Sequence, residues 1–115
     1  MILPNSLNAM DEIYTKHWDT GIYACSKCGN PLFRSDDKFH SGTRWPSFRV
    51  AMPGAITTQP DHSQGMDRIE LLCAKCQLHL GHVFDDGKLC GDTHRKAGLR
   101  YCILSSALNF KPKQG

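Results

Sequence analysis

The stretch C-A-K-C-Q-L-H-L-G-H-V-F-D-D-G, residues 73–87, predicts both the fold and the functional site of this chain. It begins with a Cys-x-x-Cys pair, continues as an apolar run from Leu78 to Phe84, and ends in an Asp86-Gly87 turn. An apolar run of that length between turn signals is typical of a β-strand. The stretch therefore indicates a strand that starts beside a pair of potential metal ligands.

The sequence on either side has the same pattern: short apolar runs alternate with turn residues from Gly21 onward. Further strands are predicted around 22–24, 31–33, 69–73 and 99–103, and turns at 35–37 and 53–54. No stretch beyond the N-terminus shows a sustained helical period. The predicted fold is a mainly β, antiparallel domain with little helix.

Length and composition predict one folded domain, 1–115, with a short N-terminal segment at 1–18. Apolar residues make up 40% of the chain, and the formal charge of +3 is too weak for a nucleic-acid-binding surface. No segment is apolar enough to span a membrane, and the N-terminus lacks a signal-peptide pattern. We therefore expect a cytoplasmic protein without membrane or nucleic-acid partners, in which paired cysteines are ligands or catalysts.

A second Cys-x-x-Cys pair, Cys25 and Cys28, has the same spacing as Cys73 and Cys76. Two residues between cysteines allow both sulfur atoms to face one tetrahedral centre, and four thiolates fill its coordination shell. The pattern predicts a closed, structural zinc site without catalytic water. Iron bound as in rubredoxin is the minor alternative, and two disulfides or four buried free thiols are the interpretations without a metal.

Cys102 lies within the last predicted strand. Alternation along the strand places it on one face with Arg100 and Leu104, whereas Tyr101 and Ile103 face the core. A neighbouring guanidinium favours the thiolate, which makes this sulfur a candidate nucleophile. A buried and inert thiol is the alternative on this pattern alone.

Cys90 lies in G-K-L-C-G-D, a segment typical of an exposed loop. A loop cysteine could swing in and form a disulfide with Cys102, provided that the two Cα atoms come within about 7 Å. Cys90 is therefore the candidate resolving cysteine, and a surface thiol without a role is the alternative.

The predicted strand from Leu78 to Phe84 contains two histidines, His79 and His82, three residues apart. In a regular strand their side chains point to opposite faces, but a bend at Gly81 could bring both rings into one cavity. Structural or surface histidines are the alternative interpretation.

Trp45 directly precedes a proline in G-T-R-W-P-S-F, residues 42–48, which restricts its backbone to extended conformations. A rigidly held indole favours contact with a methyl-sulfur group and stabilises positive charge that develops on sulfur. A tryptophan in the core is the alternative.

Together these motifs resemble the methionine-R-sulfoxide reductases, the B type of the two methionine sulfoxide reductase classes. The resemblance runs from about Asp19 to Phe110, through G-I-Y-A-C-S-K-C-G-N-P-L-F at 21–33, K-F-H-S-G-T-R-W-P-S-F at 38–48, the stretch at 73–87 and G-L-R-Y-C-I at 98–103. It implies two antiparallel β-sheets, structural zinc on the four paired cysteines, and no organic cofactor.

The resemblance also implies roles for individual residues. Cys102 matches the catalytic cysteine, and Trp45 matches the tryptophan that packs on the substrate methyl group. Phe48, in the same motif, is a second candidate for substrate binding. Polar residues around the reacting sulfoxide are matched by His79, His82, Asp86 and Arg100.

Some positions depart from the family pattern. Leu104 stands where the family usually has an asparagine, and Arg44 replaces a usual glycine before the tryptophan. Many two-cysteine members carry the resolving cysteine just before this motif, where the chain has Thr43 and Arg44. Cys90 is left as the candidate for that role.

The reaction implied by the resemblance is reduction of methionine-R-sulfoxide, free or in oxidised proteins, by the Cys102 thiolate through a sulfenic acid. Thioredoxin or a small thiol would regenerate the enzyme, and a monomer is expected. A non-enzymatic, zinc-braced β binding module is the alternative from another class. Such a module has no need of Arg100, Cys102 or the histidine pair.

Overall fold

The computed structural model describes residues 12–113, which form two antiparallel sheets. The strands are β1 Gly21–Cys25, β2 Pro31–Arg34, β3 Lys38–Phe39, β4 Ser47–Phe48, β5 Ile56–Asp61, β6 Arg68–Cys73, β7 His79–Phe84, β8 Arg100–Ile103 and β9 Leu108–Pro112. Short 3-10 turns span Ser35–Asp37, Ser63–Gly65 and Ser105–Ala107. The predicted fold class is confirmed. Of the predicted N-terminal segment, residues 1–11 lie outside the described part.

The smaller sheet has the strand order β2-β1-β9, and the larger sheet has the order β3-β4-β8-β7-β6-β5. None of the helical segments within residues 12–113 has the length and apolar character needed to cross a membrane. The predicted strands at 69–73 and 99–103 correspond to β6 and β8 of the larger sheet, and the run from Leu78 to Phe84 corresponds to β7. The sequence pattern therefore located the centre of the larger sheet.

Aromatic side chains from both sheets form the middle of the core. The ring of Phe33 stacks on Phe48 with 4.4 Å between centroids, and Tyr23 meets Phe48 edge-on at 5.2 Å. Ile103 is fully buried in the same cluster and Tyr101 packs against it, as strand alternation predicted. Burial of these rings between the sheets supplies the main hydrophobic stabilisation.

Phe48 is therefore a core residue, and the prediction that it binds substrate is wrong. Its side chain has no exposed surface. It pairs with Tyr101 across β4 and β8, and residues directly opposite each other project to the same face. Because Tyr101 faces the core, Phe48 does too.

Strand β5 was not predicted, because its sequence I-T-T-Q-P-D is polar and contains Pro60. A proline removes a backbone donor and is tolerated at the edge of a sheet, and β5 is the edge strand of the larger sheet. β5 pairs with β6 along its whole length, from Ile56 opposite Cys73 to Asp61 opposite Arg68. Through this hairpin, the acidic side chains of Asp61 and Glu70 reach the neighbouring strand β7.

Candidate active site

Cys102 lies in a row of residues that crosses the larger sheet. Backbone register pairs Cys102 with Ser47 of β4 on one side and with His82 of β7 on the other. His82 in turn pairs with Glu70 of β6. Since directly opposite residues share a face, the strand register alone places a thiol, an imidazole and a carboxylate side by side.

A β-bulge in β7 brings the second histidine to the same face. The register between β6 and β7 skips one residue, so Leu80 has no partner and His79 faces the same way as His82. The two imidazole rings lie 5.4 Å apart between centroids and line one cleft. A Cβ atom at Gly81 would lie 2.0 Å from the carbonyl oxygen of Cys102, so the close approach of β7 and β8 requires glycine there.

The cleft has a volume of about 320 Å³. Its walls are formed by Thr43, Trp45, Arg68, His79, Gly81, His82, Phe84, Arg100, Cys102 and Leu104. Two larger concavities, of about 410 and 450 Å³, contain no thiol. The chemistry of the walls, and not their volume, therefore identifies the cleft as the candidate active site.

The predicted partners on β8 enter the cleft together. Arg100, Cys102 and Leu104 all line it, as alternation predicted. Trp45 lies in the wall, and the Arg44 guanidinium is 5.3 Å from the centroid of its ring. Leu104 contributes apolar surface where the family pattern usually has an amide.

Arg100 is held by a two-pronged ion pair. Its Nε and Nη2 donate to Oδ1 and Oδ2 of Asp86 at 2.9 and 3.1 Å, and its guanidinium lies 4.6 Å from the Phe84 ring centroid. The hydrogen bonds from Arg100 lower the pKa of the Asp86 carboxyl group. Asp86 does not line the cleft, so it acts on the site through Arg100.

The Cys102 thiol has a raised pKa in the free protein. Burial is the main cause, and the positive charge of Arg100 lowers the pKa only in part. Asp86 limits this effect, because it balances the guanidinium charge. Arg100 therefore favours the thiolate, as the sequence predicted, and burial of the sulfur opposes this effect.

Each histidine has a carboxylate partner that the sequence pattern did not indicate. His82 Nε2 lies 2.7 Å from Asp61 Oδ2, and His79 Nδ1 lies 2.6 Å from Glu70 Oε2. For Glu70 a weak signal existed, since the apolar alternation in the predicted strand at 69–73 leaves it on the face away from the core. For Asp61 there was none, because β5 was not predicted.

Cys90 lies in the turn that follows Asp86, the residue that pairs with Arg100. Its backbone N–H donates to the carbonyl oxygen of Asp86 at 3.0 Å. The Cys90 side chain is half-buried and not fully exposed as a loop residue would be. Both thiols lie close enough to Arg100 that each, when ionised, raises the pKa of the guanidinium.

The four paired cysteines meet at a separate point, where the sheets join. The Sγ atoms of Cys25 and Cys76 are 3.6 Å apart, as are those of Cys28 and Cys73, and all four lie within 4.8 Å of one another. A tetrahedron with metal–sulfur bonds of about 2.3 Å has edges of about 3.8 Å, so this donor set fits a zinc-sized ion. Cys25 ends β1 and Cys73 ends β6, so a bound ion would tie the two sheets together.

Comparison with known proteins agrees with this geometry. A family model described as the SelR domain matches residues 5–112. A peptide methionine sulfoxide reductase MsrB of Variovorax paradoxus (strain S110) is 50% identical over 101 residues, which cover 87% of this chain and 70% of that protein. The chain belongs to the methionine-R-sulfoxide reductase B family. The resemblance drawn from the motifs is confirmed.

Other relatives in the methionine-R-sulfoxide reductase B family differ in length. The mitochondrial methionine-R-sulfoxide reductase B3 of Mus musculus is 48% identical over 106 residues, which cover 91% of this chain but 40% of that protein. A peptide methionine sulfoxide reductase MsrB of Burkholderia cenocepacia (strain HI2424) is 48% identical over 101 residues, or 87% of this chain and 67% of that protein. The chain therefore spans less than half of the mouse relative and about two thirds of the bacterial ones.

Proposed function

We propose that this chain reduces methionine-R-sulfoxide, free or in oxidised proteins, to methionine. The observation that carries the proposal is that one cleft joins a thiol, a guanidinium, two imidazoles and an indole, on Cys102, Arg100, His79, His82 and Trp45. The names of the relatives support the same activity. A purely binding cleft has no need of a thiol beside two imidazoles.

The cleft suits a single oxidised side chain. Trp45, Phe84 and Leu104 offer apolar surface to the methyl and methylene groups of the substrate. A thioether sulfur against an aromatic ring contributes roughly 0.3–1.5 kcal/mol. Because the walls are chiral, only one sulfoxide epimer places its oxygen toward the imidazoles and its sulfur toward Cys102.

The first chemical step joins two sulfur atoms. The sulfur of Cys102 attacks the sulfoxide sulfur, while His82 or His79 donates a proton to the sulfoxide oxygen. With this proton and the one released by the thiol, the oxygen leaves as water. A general acid is needed because an unprotonated oxide ion is a poor leaving group, and imidazole titrates close to neutral pH.

Water then cleaves the sulfur–sulfur bond, which releases methionine, returns a proton to the imidazole and leaves Cys102 as a sulfenic acid. In the net reaction the sulfoxide loses its oxygen as water, and Cys102 gains one oxygen from water. The sulfoxide is reduced by two electrons and the thiol is oxidised by two, so this half of the cycle needs no other reductant.

We assign Cys90 the resolving role. Its thiol would attack the Cys102 sulfenic acid, form a disulfide and release water, and a dithiol such as thioredoxin would reduce that disulfide. The proximity of both cysteines to Arg100 supports this role. A Cys90→Ser variant should lose turnover with thioredoxin and keep turnover with dithiothreitol. Normal turnover with thioredoxin would refute the resolving role.

We also infer that zinc occupies the four-cysteine cluster. Four thiolates leave no open coordination position, so the ion would supply structural bracing and take no part in the reaction. The cleft and the cluster share no residue, which supports this separation of roles.

The test of the activity is an assay of both methionine sulfoxide epimers with dithiothreitol as reductant. We expect the wild type to reduce the R epimer only and a Cys102→Ser variant to reduce neither. Full activity of Cys102→Ser would overturn the assignment of the nucleophile. A folded, metal-loaded wild type that reduces neither epimer would instead favour the binding module.

A further inference from the structure

Two carboxylates from the β5–β6 hairpin contact the histidines of the cleft and have no part in the reaction described so far. We propose that Asp61 is a positioning residue that fixes the tautomer and orientation of His82, and that Glu70 does the same for His79. This role rests on the proposed function, since it acts through the imidazoles that donate the proton.

The hydrogen bond between Asp61 and His82 determines which ring nitrogen faces the substrate. His82 Nε2 lies 2.7 Å from Asp61 Oδ2, and a carboxylate only accepts, so the proton of the neutral ring is on Nε2. Nδ1 is left as the nitrogen that exchanges a proton with the substrate. The side chain of His82 is only 16% exposed and that of Asp61 only 18%, so water competes little with this hydrogen bond.

Asp61 is itself held in place by its neighbours. Oδ1 accepts the backbone N–H of Ser63 at 2.9 Å, and Oδ2 lies 3.5 Å from Nη2 of Arg68. Hydrogen bonds from Ser63, and then from His82, hold the pKa of Asp61 well below its usual range. The anionic form of Asp61 is therefore favoured, and it accepts the hydrogen bond that orients the His82 ring.

Glu70 holds the His79 ring through Nδ1, whereas Asp61 holds the His82 ring through Nε2. Its Oε2 lies 2.6 Å from His79 Nδ1, and its Oε1 accepts from Gln59 Nε2 at 2.7 Å. His79 therefore presents Nε2, whereas His82 presents Nδ1. The His79 side chain is 41% exposed, so we expect the Asp61 pair to have the larger effect.

The experiment compares Asp61→Asn with Asp67→Asn. Asp67 is a matched control on the same hairpin, because its carboxylate pairs with His62 at 2.8 Å but both side chains are open to solvent and outside the cleft. In the dithiothreitol assay we expect Asp61→Asn to lower kcat about ten- to a hundredfold, part of the roughly 10²–10⁴-fold that a positioned acid contributes. KM should stay within about twofold, and Asp67→Asn should match the wild type.

Two further measurements separate positioning from a structural effect. In wild-type protein, ¹⁵N spectra of the neutral His82 ring should show the proton on Nε2. In kinetics, adding Asp61→Asn to a His82→Asn variant should cause no further loss, because the carboxylate acts through the ring.

The outcomes distinguish this role from the proposed function. A wild-type His82 that carries its proton on Nδ1, or an Asp61→Asn variant as fast as Asp67→Asn, would overturn the positioning role while R-sulfoxide reduction stands. If wild type and Asp67→Asn both fail to reduce the R epimer, the proposed function itself fails. The spectrum of the wild type decides the question even if Asp61→Asn does not fold.

Discussion

Substitution of Gly81 by alanine tests how the close approach of β7 and β8 shapes the cleft. The added Cβ would lie 2.0 Å from the carbonyl oxygen of Cys102, about 1.4 Å short of the 3.4 Å at which ordinary van der Waals contact begins. The obstacle is backbone and not a flexible side chain, so the two strands must separate. Cys102 and His82 are paired across these strands, so the separation falls between the nucleophile and an imidazole.

Both stability and activity should fall. Overpacking of this kind costs about 1–3 kcal/mol, and each kilocalorie lowers Tm by about 4 °C in a chain of this size. A displacement of about 1 Å between reacting groups lowers the rate on the order of a hundredfold. We therefore expect Gly81→Ala to lose up to about 12 °C in Tm and about two orders of magnitude in kcat for the R epimer.

The matched control is Gly98→Ala. A Cβ at Gly98 meets nothing within 4 Å and the backbone there is not in the left-handed region, so this variant should keep the wild-type Tm and kcat. Thermal denaturation and the dithiothreitol assay measure both quantities. A Gly81→Ala protein as active as Gly98→Ala would refute the conclusion that strand spacing at Gly81 sets the distance between thiol and imidazole.

Three further comparisons test the four-cysteine cluster, the Asp86–Arg100 ion pair and the placement of Phe48 and Trp45. Cys25→Ser should lose the bound metal and most of the folded structure, whereas Cys90→Ser keeps both; metal analysis and circular dichroism measure this, and a stable metal-free Cys25→Ser protein would contradict the bracing role. Asp86→Asn should lower Tm at pH 7, since the pKa of Asp86 is depressed in the folded state. That stability is present above the unfolded pKa of about 3.9 and is lost as pH falls through the folded pKa, so the deficit in Tm should vanish at low pH and one that persists would argue against the ion pair. Phe48→Ala should cost about 3–5 kcal/mol of unfolding free energy with little change in KM, whereas Trp45→Ala should raise KM with a smaller loss of stability; the reverse pattern in urea denaturation and kinetics would restore Phe48 to the cleft.

The local patterns in the sequence predicted those features of the site that depend on spacing within one strand or turn. Two Cys-x-x-Cys pairs indicated the four-cysteine cluster, and alternation indicated that Arg100 and Cys102 share a face while Ile103 is buried. A glycine between two histidines indicated the bend at Gly81. Each of these signals is a short-range consequence of backbone geometry.

Other features depend on how strands pair, and the sequence does not encode this locally. Asp61 meets His82 because β5 adds to the sheet edge in one register, and β5 is too polar to be recognised as a strand. Phe48 faces the core because of its pairing with Tyr101. The raised pKa of Cys102 depends on its burial and on the ion pair of Arg100, which are properties of the folded chain.

The most direct measurement of the proposed reaction is mass spectrometry of the protein after one equivalent of methionine-R-sulfoxide in the absence of reductant. We expect one equivalent of methionine, and a Cys90–Cys102 disulfide in the wild type. In Cys90→Ser we expect a sulfenic acid on Cys102 that a dimedone probe labels. Formation of methionine while Cys102 remains a free thiol would contradict the oxidation of this sulfur by the substrate.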